Sequence, residues 1–399
     1  MSNKDISSDD EPQQNDASHR LDSLARRSVV SDQRLILLVY CVAALVVTVQ
    51  RGVFGFPNDF AIFRASFWNL LASRDLYVLR LDQARDYFKY SPSFALLFAP
   101  FAILPFVAGL FTWNVVNALA LFFALRLLLP QRQWALAQAL AFLPMLRSMQ
   151  SAQSNGLVAA LIIVAFVSFE RGWLRRGAIS VALGTATKLF PVVAIVFALP
   201  RRERIRAVLM TILATAIVIA LPLLIVAPRT LIAEYHSWAV LERSEGALVG
   251  SSAMSLLRDA GINWPAWPVQ IAAGIILLEV LILRARDWGD SEFRLRFLAF
   301  VLVFCVVFNH RAERQSAVIA MCGAIIWYLT APRTAYRTAL FASIYFLVVL
   351  TGSEIVPNAI KVLLVPAVRF PIPLTVLWLV MLGELAIGRR DRSAFPEAR

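Results

Sequence analysis

Long apolar runs separated by short, mostly basic turns repeat from residue 35 to residue 388. They fall at 35 to 49 and at about 91 to 104, 106 to 129, 133 to 149, 156 to 170, 177 to 199, 205 to 227, 266 to 284, 294 to 309, 314 to 331, 337 to 352 and 371 to 388. Each is long enough to cross, or nearly cross, a hydrocarbon layer about 30 Å thick. The pattern predicts an all-α polytopic membrane protein with about 10 to 12 transmembrane helices. Residues 1 to 33 are polar, without apolar periodicity, and read as a disordered cytoplasmic tail. Residues 34 to 390 read as the transmembrane unit and 391 to 399 as a second cytoplasmic tail. The first run leads straight into Gln50 and Arg51 with no small-residue cleavage site, so it is expected to remain as the first span.

Composition agrees with that class. Hydrophobic residues make up 59% and charged residues 16% of the 399, and the mean hydropathy is +0.68, outside the range of a soluble domain. The formal charge of +13 is spread over the turns and forms no continuous face, so nucleic acid is not an expected partner. Basic turns instead mark cytoplasmic ends beside anionic headgroups of the bilayer. Arg20, Arg26, Arg27 and Arg34 hold the N-terminus inside, and an even number of spans brings the basic stretches at 201 to 206, 284 to 296 and 333 to 337, with Arg389, Arg390 and Arg392, to the same side. Arg171, Arg175 and Arg176 come out on the far side unless a segment between 91 and 149 is re-entrant. Cys41, Cys305 and Cys322 lie inside apolar runs and read as small core residues. No metal-ligand spacing, Gly-rich phosphate loop or nucleophile elbow occurs, so no cofactor is expected and no residue is singled out as a metal ligand, while the assistance of a divalent metal stays open.

One long aqueous stretch, 50 to 90, follows the first span and is extracytoplasmic in this orientation. Phe60, Phe63, Phe67, Leu70 and Leu71 recur there at helical spacing, with Ser66, Asn69 and Ser73 on another face, which predicts a short amphipathic helix along the membrane surface. Asp59, preceded by Asn58, opens it. An acid at the membrane boundary is a candidate base, and an Asp at a helix start is also a plain N-cap. Lys89 and Tyr90 follow at the mouth of the next run, where the lysine reads as a phosphate ligand or as a snorkelling side chain. A second polar cluster, Asn309 to Gln315, holds His310, Arg311 and Arg314, which read as phosphate or sugar ligands or as a solvated turn.

Lys188 sits deep in the 177 to 199 run, where an ammonium is costly and usually paired or functional. Gln153 and Asn155 are its candidate partners or helix-packing groups. The expected topology puts Gln153 near the cytoplasmic face, away from Asp59. Glu234, Tyr235 and His236 occupy a later loop and could touch an acceptor, while Trp264, Pro265, Trp267 and Pro268 read as an interfacial belt.

Asn58-Asp59-Phe60, Asp75-Leu76-Tyr77 and Tyr90-Ser91-Pro92, in that order before an apolar run closing at Leu104-Pro105, resemble the GT-C membrane glycosyltransferases, and among them glycosyltransferase family 87. Gln153-Ser154-Asn155 resembles that family's Gly-Gln-x-Asn stretch, with Ala152 where glycine is usual. Lys188 to Pro191 is similar to its Lys-x-x-Pro, and Gly250 to Arg258 to its serine-rich segment. The resemblance implies a GT-C-like bundle and transfer of a hexose, mannose by that likeness, from a polyprenyl-phosphate sugar to a lipid or glycan acceptor. It implies an extracytoplasmic site in the plasma membrane, the cytoplasmic membrane of a bacterium, with Asp59 as the first-loop acid.

The chemistry is compatible with that reading. A lipid-phosphate sugar already carries a good leaving group, so the reaction needs a base for the acceptor hydroxyl and a cation for the departing phosphate, not the paired acids of a glycosidase. Direct displacement inverts the anomeric centre. Nothing outside the membrane is large enough for a nucleotide-sugar domain, which also points to a lipid-linked donor. The competing class is a multi-pass transporter or flippase with Asp59 and Lys188 along its pathway. The lack of a two-halves repeat weighs against it. A catalytically inactive relative acting in assembly is a third class.

Overall fold

The computed structural model describes residues 32–245, 250–353 and 356–387. Most of both expected tails, with Arg20, Arg26, Arg27, Arg389, Arg390 and Arg392, lies outside these residues. Among the described residues every regular element is helical. In chain order they are α1 (Gln33–Gly52), α2 (Asn58–Leu71), α3 (Pro92–Leu97), α4 (Ala99–Ala102), α5 (Phe106–Leu128), α6 (Gln131–Gln150), α7 (Asn155–Glu170) and α8 (Leu174–Thr187). A 3-10 helix, Phe190–Ala198, precedes α9 (Arg204–Ala220), α10 (Pro228–Glu245), α11 (Ala253–Asp259), α12 (Ala266–Leu283), α13 (Ser291–Val307), α14 (Ala317–Leu329) and α15 (Ala335–Val348). The short α16 (Asn358–Leu363) and α17 (Pro366–Arg369) lead into α18 (Pro371–Ile387). Five segments among the described residues, Gln33–Gly52, Phe106–Leu128, Arg204–Leu224, Ala266–Leu283 and Ala335–Gly352, are long and apolar enough to cross a membrane.

Local chemistry sets many of these boundaries. Asp32, Ser91, Asp290 and Thr334 each accept a hydrogen bond from the first turn of the helix that follows, satisfying a donor that has no partner inside the helix. α13 and α14 form the centre of the bundle and are buried along almost their whole length. Gly323 lets them close up, because a Cβ there would lie 2.6 Å from the Ala299 carbonyl oxygen. A smaller aromatic core of Phe60, Phe63, Phe94, Phe98 and Trp113 fastens α2 to α3, α4 and α5, with Phe63 and Phe94 centroids 5.1 Å apart. Burying each such side chain contributes about 1.5–3 kcal/mol.

Two of the apolar runs are not continuous spans. The 91 to 104 run is broken into α3 and α4, and so is too short to cross. The 177 to 199 run folds back at Lys188, whose extended backbone (φ −148°, ψ 142°) ends α8 before the 3-10 helix begins. The breaks answer the misplaced arginines. Glu170 at the end of α7 pairs with Arg201 beyond the 3-10 helix and with Arg294 in α13 at 2.7 Å, and Arg171 donates to the Leu127 carbonyl at the end of α5. Gly52, the last residue of α1, packs on Leu110 near the start of α5, so α1 begins at the Leu127 end. Arg171, Arg175 and Arg176 therefore share the end of the bundle from which α1 starts, together with the stretch 201 to 206. The segment that does not cross is the one before α5.

α2 does not turn its polar face to solvent. Its expected polar face is covered, with Ser66 and Asn69 buried and the Asn69 side-chain amide donating to Gln83 Oε1 at 2.8 Å. The 72 to 90 loop folds over that face and lines a shallow recess with it.

Candidate active site

The end of the bundle opposite those arginines holds a cavity of about 130 Å³ lined by Asp59, Tyr90, Gln153, Lys188, His310 and Glu313, among others. Five of the stretches singled out in the sequence converge on it. Asp59 is the second residue of α2, after Pro57 as the flanking residue, and the helix start shows no side-chain cap hydrogen bond, so the carboxylate is not spent as an N-cap. It accepts a hydrogen bond of 2.8 Å from Gln153 Nε2.

Gln153 is the hub of the cavity. Its Nε2 also lies 3.3 Å from Glu313 Oε2, while its Oε1 accepts from the Tyr90 hydroxyl at 3.0 Å and lies 3.4 Å from Lys188 Nζ. Lys188 donates to Asn155 Oδ1 at 2.7 Å, and its ammonium sits 5.9 Å from the Tyr90 ring centroid. The expectation that Gln153 lies away from Asp59 is overturned. α6 runs the full length of the bundle and delivers Gln153 at the Asp59 end, since the run before α5 does not cross.

The local backbone explains how these groups arrive. After α6, Ala152 takes φ 52°, the left-handed region that costs an L-residue about 1–2 kcal/mol, and the Gln153 N–H closes the turn on the Ser148 carbonyl. The Trp113 indole N–H donates to the Ala152 carbonyl at 2.7 Å and secures it. Where α8 breaks, the Ala186 carbonyl is taken by the Ser91 hydroxyl at 2.6 Å. The residue after Tyr90 therefore holds the turn that presents Lys188. Gly250, whose Cβ would lie 2.5 Å from the Ala312 carbonyl oxygen, and Ser251 bond through their N–H groups to the His310 and Ala312 carbonyls, laying the serine-rich segment along the 309 to 313 cluster.

Electrostatics follow from burial. Desolvation pushes the Asp59 carboxyl up to about 6; Glu313 adds to the rise, Lys188 and the Gln153 hydrogen bond oppose it, and Asp86 adds a little. Burial, then Arg311, holds His310 below its usual value, favouring the neutral ring. The Gln270 amide lies 3.1 Å from His310 Nδ1.

The remaining sequence candidates divide. Lys89 lines the cavity but is ion-paired with Asp86 at 3.0 Å. Arg311 lines it too, paired with Glu242 at 2.9 Å. Asn58 accepts from the Arg85 N–H and serves the loop. Arg314 is outside the lining, near Arg369, and His236 is exposed outside it, so neither belongs to this cavity. Glu234 accepts from the Leu76 N–H and Tyr235 bonds Ser93, both structural tasks. Sequence reasoning gave no role to Glu313, Trp238 and Glu242, which all line the cavity. The spacing of Trp238 and Glu242, four apart on α10, was the available signal for the latter two.

The bundle and this cavity define a polytopic membrane protein with a buried acid–amide–lysine centre at one end. The chain belongs to glycosyltransferase family 87, whose sequence profile matches residues 88–309, more than half of its length. The matched span holds Lys89, Tyr90, Gln153, Asn155 and Lys188, and Asp59 lies before it. Comparison with curated proteins gives no match.

Proposed function

We infer that the protein transfers a hexose, by the family likeness mannose, from a polyprenyl-phosphate sugar to a hydroxyl of a lipid or glycan acceptor, with Asp59 as the base. The observation that carries this reading is the Asp59 carboxylate held by Gln153 in the same cavity as the Lys188 ammonium. The ionised carboxylate takes the acceptor proton while the acceptor oxygen attacks the anomeric carbon. The bond from that carbon to the phosphate oxygen breaks, its electron pair leaves on polyprenyl phosphate, and Lys188 meets the growing negative charge. Attack opposite the leaving group inverts the anomeric centre.

Lys188 replaces Lys89 as the preferred phosphate ligand, because it lies at the hub and among the described residues hydrogen-bonds to amides and not to a carboxylate, whereas Lys89 is held by Asp86. His310, neutral and at the cavity wall, is suited to a sugar hydroxyl. The basic turns at the opposite end support an extracytoplasmic position for the cavity, by the positive-inside bias.

The test is incubation of the purified protein with a polyprenyl-phosphate-mannose and a panel of lipid and glycan acceptors, with the anomeric configuration of any product read by NMR. A glycoside of inverted configuration supports the reading. Movement of the donor across vesicles with no glycosidic bond formed favours the transporter class instead.

A further inference from the structure

The end of the bundle opposite Asp59 carries a second recess. Two adjoining cavities of about 970 and 520 Å³ share Glu203, Arg206 and Met210 as walls. Arg175 and Arg176, from the start of α8, line one; Arg202, in the turn before α9, and Arg204, its first residue, line the other. Arg201 pairs with Glu170, which it shares with Arg294, and Arg206 lies 3.5 Å from Glu203, the one carboxylate in the lining. Arg175, Arg202 and Arg204 make no ion pair among the described residues. Arg171 and Arg176 flank the Trp173 ring at 5.0 and 4.8 Å, an aromatic base under the basic rim.

An apolar track leaves this rim. Ile205, Leu209 and Leu213 are spaced four apart on α9 and are 72%, 61% and 61% exposed. Of the five long apolar segments, the one holding α9 is the least covered by protein, at 17% buried, so this track faces the acyl region. A basic rim joined to an exposed apolar helix face matches the two ends of a phospholipid.

We propose that this recess binds an anionic membrane phospholipid, its phosphate between Arg175 and the Arg202–Arg204 pair and an acyl chain along Ile205, Leu209 and Leu213. Basic recesses between helix ends are suited to such headgroups. The site is independent of the transfer reaction, so its test does not depend on the role of Asp59.

The experiment is native mass spectrometry of the full-length protein released from detergent micelles carrying equal amounts of dioleoyl phosphatidylglycerol and dioleoyl phosphatidylcholine. The wild-type protein is expected to retain phosphatidylglycerol selectively. Replacing Arg175, Arg202 and Arg204 together by Gln should weaken retention on the order of a hundredfold, about fivefold per arginine. Should the triple variant not fold, Arg202→Gln alone carries the fivefold expectation. The triple replacement of Arg132, Arg286 and Arg333 by Gln removes the same charge outside the recess and should leave retention unchanged. Equal loss in that control reduces the effect to net charge and overturns the proposal, as does equal retention of the two lipids. Displacement of the lipid by millimolar inorganic phosphate would overturn the assignment to a lipid.

Discussion

Gln153 Nε2 and Asp59 Oδ2 lie 2.8 Å apart although 94 positions separate them in the chain. One amide thereby fixes the orientation of the acid and, through its oxygen, ties it to Tyr90 and Lys188. Gln153→Leu, similar in size but unable to bond, should leave the protein folded and lower kcat about 100-fold through misplacement of Asp59. Steady-state kinetics checks this; an unchanged kcat removes Gln153 as the positioning residue.

The raised Asp59 pKa predicts the pH dependence. A base must be ionised, so kcat/KM should fall with decreasing pH as the solution passes through about 6. Glu313 is the largest charge contribution to that rise, so Glu313→Gln should move the acid limb to lower pH. A pH–rate profile of both proteins is the measurement, and a limb that does not move contradicts the coupling.

The same shift has a cost in stability. A carboxyl with a folded-state pKa above its unfolded value favours folding fully only below the unfolded value, and that contribution is lost as pH rises from about 4 through about 6. At pH 7.5 the ionised Asp59 therefore destabilises the fold. Asp59→Asn, which keeps the acceptor for Gln153, should raise stability by about 1–3 kcal/mol. Thermal unfolding at pH 7.5 reads it, and a lower midpoint for the variant is the contrary result.

Lys188→Met removes the ammonium facing the hub. If Lys188 holds the donor phosphate, binding of a polyprenyl phosphate should weaken roughly 10- to 100-fold, the worth of a charge-assisted hydrogen bond, and Lys188→Arg should recover part of it. Binding of the lipid phosphate checks this without turnover.

Ala152→Gly relieves the φ of 52° at the turn that aims Gln153. Against that relief stand the larger unfolded-state entropy of glycine and the loss of a fully buried methyl, about 0.8 kcal/mol, so stability should stay within about 1 kcal/mol of wild type, read from the unfolding midpoint, with unchanged activity.

The apolar helices were legible because a run of apolar side chains is a local signal, whereas α10, which carries Glu234, Tyr235 and His236, read as a loop because it is too polar for a span. The breaks were harder to read. The 91 to 104 run is as apolar as a span, but Pro100 in the first turn of α4 and packing under the Phe60 and Phe63 cluster divide it into α3 and α4. Missing that break reversed the side assigned to Gln153, so the motif lying beside Asp59 was placed at the far end. Lys188 stood out as a charge in an apolar run, whereas Glu313 was one charge among several in a polar turn. Its neighbourhood with Asp59, bridged by the Gln153 amide, spans 254 positions that no periodicity carries.

The most direct measurement is sugar transfer from polyprenyl-phosphate-mannose by Asp59→Asn protein, with donor binding measured in parallel. The account predicts a fall in transfer of at least about 100-fold, the lower range for loss of a general base, with the fold intact and donor still bound. Transfer at the wild-type rate by a folded, donor-binding Asp59→Asn protein would contradict it.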